Sequence, residues 1–207
     1  MPQRKPMKIL LPLLAVAGLA AALPAHANDD TWVVRFGAHV VSPKSHNGTL
    51  AGMNAKVSSD LKPTASIEYM ATPNWGAELL VAVPFRHNVR LNGTQVAVAH
   101  QLPPVLGVNY HFMPESKVSP FVGLGVNYTR FFNIDGKGPL QGTRVAIDSS
   151  WGAAAHAGVD VKIAPQWSVT VDARWIDLAS DVKVDGAKVG RTTINPMAYG
   201  VSFAYRF

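Results

Sequence analysis

The chain has 207 residues, no cysteine, and 19 Lys and Arg against 13 Asp and Glu, a formal charge of +6. The missing cysteines exclude disulfides, a thiolate nucleophile and Cys-based metal sites, and the length suits one domain of ordinary size. Three of the bases and none of the acids fall in residues 1–27, so without that segment the charge is 16 − 13 = +3. No basic stripe marks a nucleic-acid partner.

Residues 1–27 have the form of a cleaved signal peptide. Arg4, Lys5 and Lys8 precede an apolar run from Ile9 to Leu23, and Ala25-His26-Ala27 supplies a small-x-small cleavage site. The run is short for a membrane anchor and contains Pro12 and Gly18. The mature domain is expected over 28–207. No later apolar run approaches 18 residues, so an exported chain of this kind is periplasmic, secreted or an outer-membrane barrel.

Period-two alternation predicts eight strands. The first, Thr31 to Val41, places Trp32, Val34, Phe36, Ala38 and Val40 opposite Val33, Arg35, Gly37 and His39. A loop rich in Ser, Gly, Asn and Lys follows, Ser42 to Pro63. Strand two, Thr64 to Ala71, and strand three, Trp75 to Phe85, flank the turn Thr72-Pro73-Asn74. Arg86 to Ala99 is a second long loop, strand four spans His100 to Phe112, and Met113 to Lys117 is a turn. Strand five runs Val118 to Phe131, a third loop Phe132 to Asp148, and strand six Ser149 to Ile163. After Ala164-Pro165-Gln166 come strand seven, Trp167 to Asp177, and a fourth loop, Ala179 to Thr193. Strand eight ends the chain with Met197, Tyr199, Val201, Phe203, Tyr205 and Phe207 on one face.

The connections alternate long and short. This predicts an all-β fold: an eight-stranded antiparallel transmembrane β-barrel with four long extracellular loops and three short periplasmic turns. A lipocalin-like barrel also has eight strands but turns its apolar face inward. Here the aromatics share the aliphatic face and the charges take the other. Arg35, Lys162, Arg174 and Arg206 face the predicted lumen together with Glu68, Glu78, Asp160 and Asp172. Four against four reads as a lumen neutralised by ion pairs, with a selectivity role as the alternative. A barrel of eight strands is too narrow for a general aqueous pore.

Trp32, Trp75, Trp151, Trp167 and Trp175 lie near strand ends, as girdle residues do. Leu80 is an inward leucine between Glu78 and Ala82, a constriction or ordinary packing. Val33 and Val105 are further lining candidates, and Arg174 faces Leu80 where an apolar gate wants an aromatic. Pro84, Pro103 and Pro104 sit at the loop-side ends of strands three and four. Proline removes a ladder donor, so these three either weaken the wall into a lateral opening or merely begin and end strands. The histidines show no metal spacing, and no cofactor is expected. His156 is inward near Asp160, without a serine partner for catalysis, and His87 and His100 are expected at the surface of the second loop.

Tyr69 to Val89, His100-Gln101-Leu102-Pro103-Pro104, Pro120 to Phe132, Asp148 to Ala154 and Ala204-Tyr205-Arg206-Phe207 strongly resemble the OmpW family of small outer-membrane proteins, which includes AlkL-like alkane-uptake proteins. The resemblance covers essentially the whole mature chain. It implies location in the outer membrane of a Gram-negative bacterium, among its lipid and lipopolysaccharide. The implied role is passive uptake of small hydrophobic molecules by a non-enzymatic barrel. It also implies recognition of Phe203, Tyr205 and Phe207 by the barrel-assembly machinery. Some members serve as bacteriocin receptors. A structural or adhesive barrel, and a lipid-modifying barrel enzyme, are the competing readings.

Overall fold

The computed structural model describes residues 31–207; the expected signal segment lies outside the described residues. Fifteen strands follow one another: β1 (Trp32–Ser42), β2 (Gly48–Leu50), β3 (Met53–Val57), β4 (Asp60–Met70), β5 (Trp75–Ala82), β6 (Phe85–Leu91), β7 (Thr94–Leu102), β8 (Val105–His111), β9 (Val118–Gly136), β10 (Val145–Ile147), β11 (Ser150–Lys162), β12 (Trp167–Ile176), β13 (Ala179–Val184), β14 (Ala187–Thr193) and β15 (Met197–Arg206). A 3-10 turn, Gly138–Leu140, precedes β10.

Eight of the strands close a ring in the order β1–β4–β5–β8–β9–β11–β12–β15 and back to β1, every pair antiparallel. The closing seam pairs Val33 with Arg206 through to Ser42 with Met197. It is finished by two reciprocal 2.9 Å backbone bonds between Trp32 and Phe207. Short turns gather at one end. After β4, Thr72 Oγ1 accepts the Asn74 and Trp75 amides at 3.3 and 3.0 Å, tightening the reversal.

The two faces of the wall decide its solvent. Leu124 and Trp151 are 71% and 73% exposed on the outside, whereas Glu68 and Arg174 are 0% and 2% exposed within. A soluble barrel of the lipocalin type has the reverse arrangement. An exposed apolar belt of this extent, around buried charge, fits a wall bathed in lipid. Inward glycines give the charged side chains their room. A Cβ on Gly76 would strike the Glu68 carboxylate, and one on Gly123 the His156 ring and Asn109.

The four long connections differ from the expected loops. The first, second and fourth fold as hairpins and the third as the upper end of β9, the 3-10 turn and β10; together they stand on the barrel as a second storey, ordered β10–β13–β14–β2–β3–β6–β7–β9. Ala51-Gly52, Asn92-Gly93 and Asp185-Gly186 turn three of the hairpins with positive φ at both residues, the twist-matched geometry for two-residue reversals. β9, with 19 residues, belongs to both storeys; at about 3.3 Å per residue it spans roughly 60 Å. The predicted strand three ends early, at Ala82, and Phe85 opens β6; the predicted strand four begins late, at Val105, because 94–102 pairs upward as β7.

Candidate functional site: an apolar cavity above a closed lumen

The second storey encloses a cavity of about 180 Å³. Its wall is aliphatic, with Leu50, Val89, Leu91, Val96, Val145 and Val182 among the lining residues. Alternation explains this: Leu50, Ala55, Leu91, Val96 and Val182 point inward from β2, β3, β6, β7 and β13, and together form one buried cluster. The volume is comparable with the roughly 150 Å³ apolar cavities that take up benzene.

The floor is a second apolar cluster. Val105, Ala154, Ile176, Leu178 and Ile194 are buried together, with Leu80 and Phe131 packed against them. Phe131 and Ile194 line the cavity as well, so floor and cavity are continuous. Leu80 therefore meets Val105 in one plug that also contains an aromatic, Phe131, supplied by β9. Arg174 lines the same small space as Leu80 on the lumen side of the plug, and its guanidinium is paired with Glu78 at 3.0 Å. Val33 lies apart, packed with Met70 and Ala204 where β1 starts and β4 ends, because it begins β1 at the short-turn end.

Below the plug the barrel is filled by a charged network. Arg35 donates to Glu68 at 2.6 Å and to Asp160 at 3.1 Å, and lies over the Phe121 ring at 5.7 Å. Glu68 also accepts from Asn109 at 2.9 Å and His111 at 3.0 Å. His39 bridges Thr64 at 2.7 Å and Asp172 at 3.0 Å. The space lined by Arg35, His39, Glu78, Asp172 and Arg174 is about 10 Å³. Three of the eight expected ion-pair members are different. Lys162 and Arg206 have no ion pair among the described residues and line a small recess at the short-turn mouth; Asp172 is matched by a histidine instead. His156 is also placed differently. It approaches Glu78 at 3.7 Å, while Asp160 is taken by Arg35 and Thr170. The histidines at 39, 111 and 156 are thus members of the network that pairing Arg and Lys with Asp and Glu leaves out; their inward parity was the available signal.

The wall beside the plug is incomplete. β5 and β8 pair from Trp75–Tyr110 up to Leu80–Val105, and pairing resumes one storey higher at Phe85–Gln101 between β6 and β7. Across the interval, Val81 and Ala82 remain paired with β4, and Val83 donates to the Pro63 carbonyl at 3.0 Å. On the other side the Pro104 carbonyl accepts from Tyr128 and Asn127 of β9. Val81–Pro84 and Leu102–Pro104 are thus each tied to their outer neighbour and share no ladder with one another. Pro84, Pro103 and Pro104 all lie in this interval, and none offers an N–H to close it. His87, expected at the surface, is 3% exposed and lines the cavity, because alternation on β6 turns it inward with Phe85. His100 is more open, its ring 5.9 Å from Phe132.

The tryptophans form two tiers on the outer wall. Trp32, Trp75 and Trp167 pack at a tilt or edge-on against Tyr69, Tyr110 and Tyr205 at the short-turn end. Trp151 stacks with Tyr128 toward the other end, where Trp175 also sits opposite Met197.

An eight-stranded antiparallel barrel, apolar outside and charged within, with its long connections at one end, is a protein of the bacterial outer membrane. The chain belongs to the OmpW family, whose model matches residues 29–207. It is 32% identical to outer membrane protein W of Escherichia coli over 210 residues, 97% of this chain and 99% of that protein. It is 28% identical to the dibenzothiophene metabolism operon protein PahQ of Pseudomonas aeruginosa, over 90% and 93%. The crystal structure of OprG from Pseudomonas aeruginosa superposes with a TM-score of 0.74 at 30% identity, covering 85% of this chain and 95% of that one. The short turns are accordingly periplasmic and the second storey extracellular.

Proposed function

We propose that the protein admits small hydrophobic molecules from outside the cell into the apolar cavity and releases them sideways into the membrane. The observation that carries this reading is the unpaired interval between Val81–Pro84 and Leu102–Pro104, which lies beside the plug members Leu80 and Val105. A solute resting on the plug has an apolar route outward, past Val83 and Leu106 on the lipid side. The route down the axis is closed by desolvation, since an apolar molecule there displaces paired charges that have no other partner. PahQ carries the name of a dibenzothiophene operon, and dibenzothiophene is an apolar compound of the class that an aliphatic wall favours.

The tryptophan tiers are assigned to interface anchoring. Phe203, Tyr205 and Phe207 are assigned to recognition by the assembly machinery, and no catalytic role is proposed. The test is permeation through liposomes containing the refolded protein, with toluene and a sugar of similar size as probes. Accelerated entry of toluene alone is the expected result. Equal entry of the sugar means a wet pore, and entry of neither removes transport in favour of a receptor role for the extracellular storey.

A further inference from the structure

The outer face of the extracellular storey carries its charge unevenly. On the β13–β14 hairpin every cation is matched: Lys183 by Asp148 at 2.8 Å, and Lys188 and Arg191 by Asp181 at 2.6 and 3.4 Å. The β6–β7 hairpin, 85–102, contains Arg86 and Arg90 and not one Asp or Glu. Neither arginine has an ion pair among the described residues, nor has Arg130 of β9 or Lys56 of β3. Asp60, whose carboxylate accepts the Arg86 backbone amide at 2.7 Å, is ion-paired with Lys62, and Asp135 of β9 with Lys137.

Register gathers the four cations. Arg86 is exposed because its neighbours Phe85 and His87 turn inward, and it stands opposite His100. Arg130 is opposite Leu102 on the next strand. It is also two residues above Tyr128, the partner of Trp151 at the upper tier of aromatics, a rise of about 7 Å. Arg90 and Lys56 are opposite one another, four residues further up β6, about 13 Å higher. The patch thus begins where the apolar belt ends, over the unpaired interval of the wall.

We infer that Arg86, Arg130, Arg90 and Lys56 form a docking face for the phosphorylated headgroup of the outer-leaflet glycolipid. Arginine forks match phosphate oxygens in pairs. Basic groups just above a hydrocarbon boundary gain from an anionic lipid surface, within a Debye length. The match is one of charge and height together, since a phosphate on a glycolipid anchored in the belt sits at the level of Arg86 and Arg130. Binding here does not depend on whether the barrel transports anything.

The test is calorimetric titration of the purified, refolded protein in neutral detergent with bisphosphorylated lipid A, with its dephosphorylated form and with inorganic phosphate. Expected are salt-sensitive binding of the phosphorylated lipid, roughly tenfold or more weakening in Arg86→Gln/Arg90→Gln/Arg130→Gln, and less than about twofold in the equally charged control Lys183→Gln/Lys188→Gln/Arg191→Gln. Folding of each variant is read from its compact band on an unboiled gel, and single substitutions at Arg86 and Arg130 stand in if the triple variant does not refold. Equal weakening by both triples reduces the effect to net charge and overturns the site. Equal binding of the dephosphorylated lipid removes phosphate as the determinant. Inorganic phosphate competing at low millimolar concentration makes it a free-anion site, not a lipid face.

Discussion

Glu68 carries the densest set of bonds in the lumen, accepting from Arg35, Asn109 and His111 while fully buried. Glu68→Gln keeps the shape and removes the charge, leaving Arg35 with Asp160 alone. Losing one member of a buried network costs about 3–5 kcal/mol, and urea unfolding of the refolded protein should show a loss of that order; a change below 1 kcal/mol means the network is solvated. At His87, in the extracellular storey, burial is the largest influence and pushes the imidazole below its ordinary 6.5; the bond to the Ser58 carbonyl and the charge of Asp60 only partly oppose it. The folded protein therefore binds this proton less readily than the unfolded chain does. Stability is full above pH 6.5 and falls as the pH drops below that value, where only the unfolded chain is protonated. Amide exchange over β6 and β7, corrected for intrinsic rates, should quicken between pH 7.5 and 5, and His87→Leu should abolish the difference.

At the scale of the strand, the interval between β5 and β8 is the weak place in an otherwise continuous wall. Pro84→Val with Pro104→Val restores two backbone donors. If the strands zip, each new bond contributes about 1 kcal/mol, and toluene flux into liposomes should fall about tenfold or more. Unchanged flux, with the fold intact, excludes this interval as the exit. The prolines were legible in the sequence at 84, 103 and 104. That Val81–Pro84 and Leu102–Pro104 lose each other while keeping their outer partners was not, because ladder pairing joins residues about twenty apart and alternation along one strand does not report its neighbour. Composition marks the hairpins above it as loops, although Asn92-Gly93 and Asp185-Gly186 are strong two-residue turn signals. Their polar composition outweighed the short apolar alternations on either side.

For the whole molecule, closure depends on the last residue meeting the first strand. Phe207 exchanges two backbone bonds with Trp32 and stacks on Tyr205. Deleting Phe207 removes both bonds at the seam, and the fraction refolding into the compact, gel-resistant form should drop severalfold. An unaltered yield shows that the remaining seam from Val33–Arg206 suffices.

The sequence by itself determined the barrel. Strand number, the apolar exterior, the charged interior and the alternation of long and short connections are all properties of period-two patterning and spacing, which are local. It also marked Leu80, Val105, Arg35, Glu68, Glu78, Asp160 and Arg174 as inward. Only the tertiary structure decided which of these meet. Arg35 reaches Asp160 across 125 residues, histidines take places in the network, and Phe131 completes a plug above the charges. It also decided that the polar connections enclose an apolar cavity. Those outcomes depend on stagger around a closed ring and on which strands share a storey, and no single strand's pattern carries either.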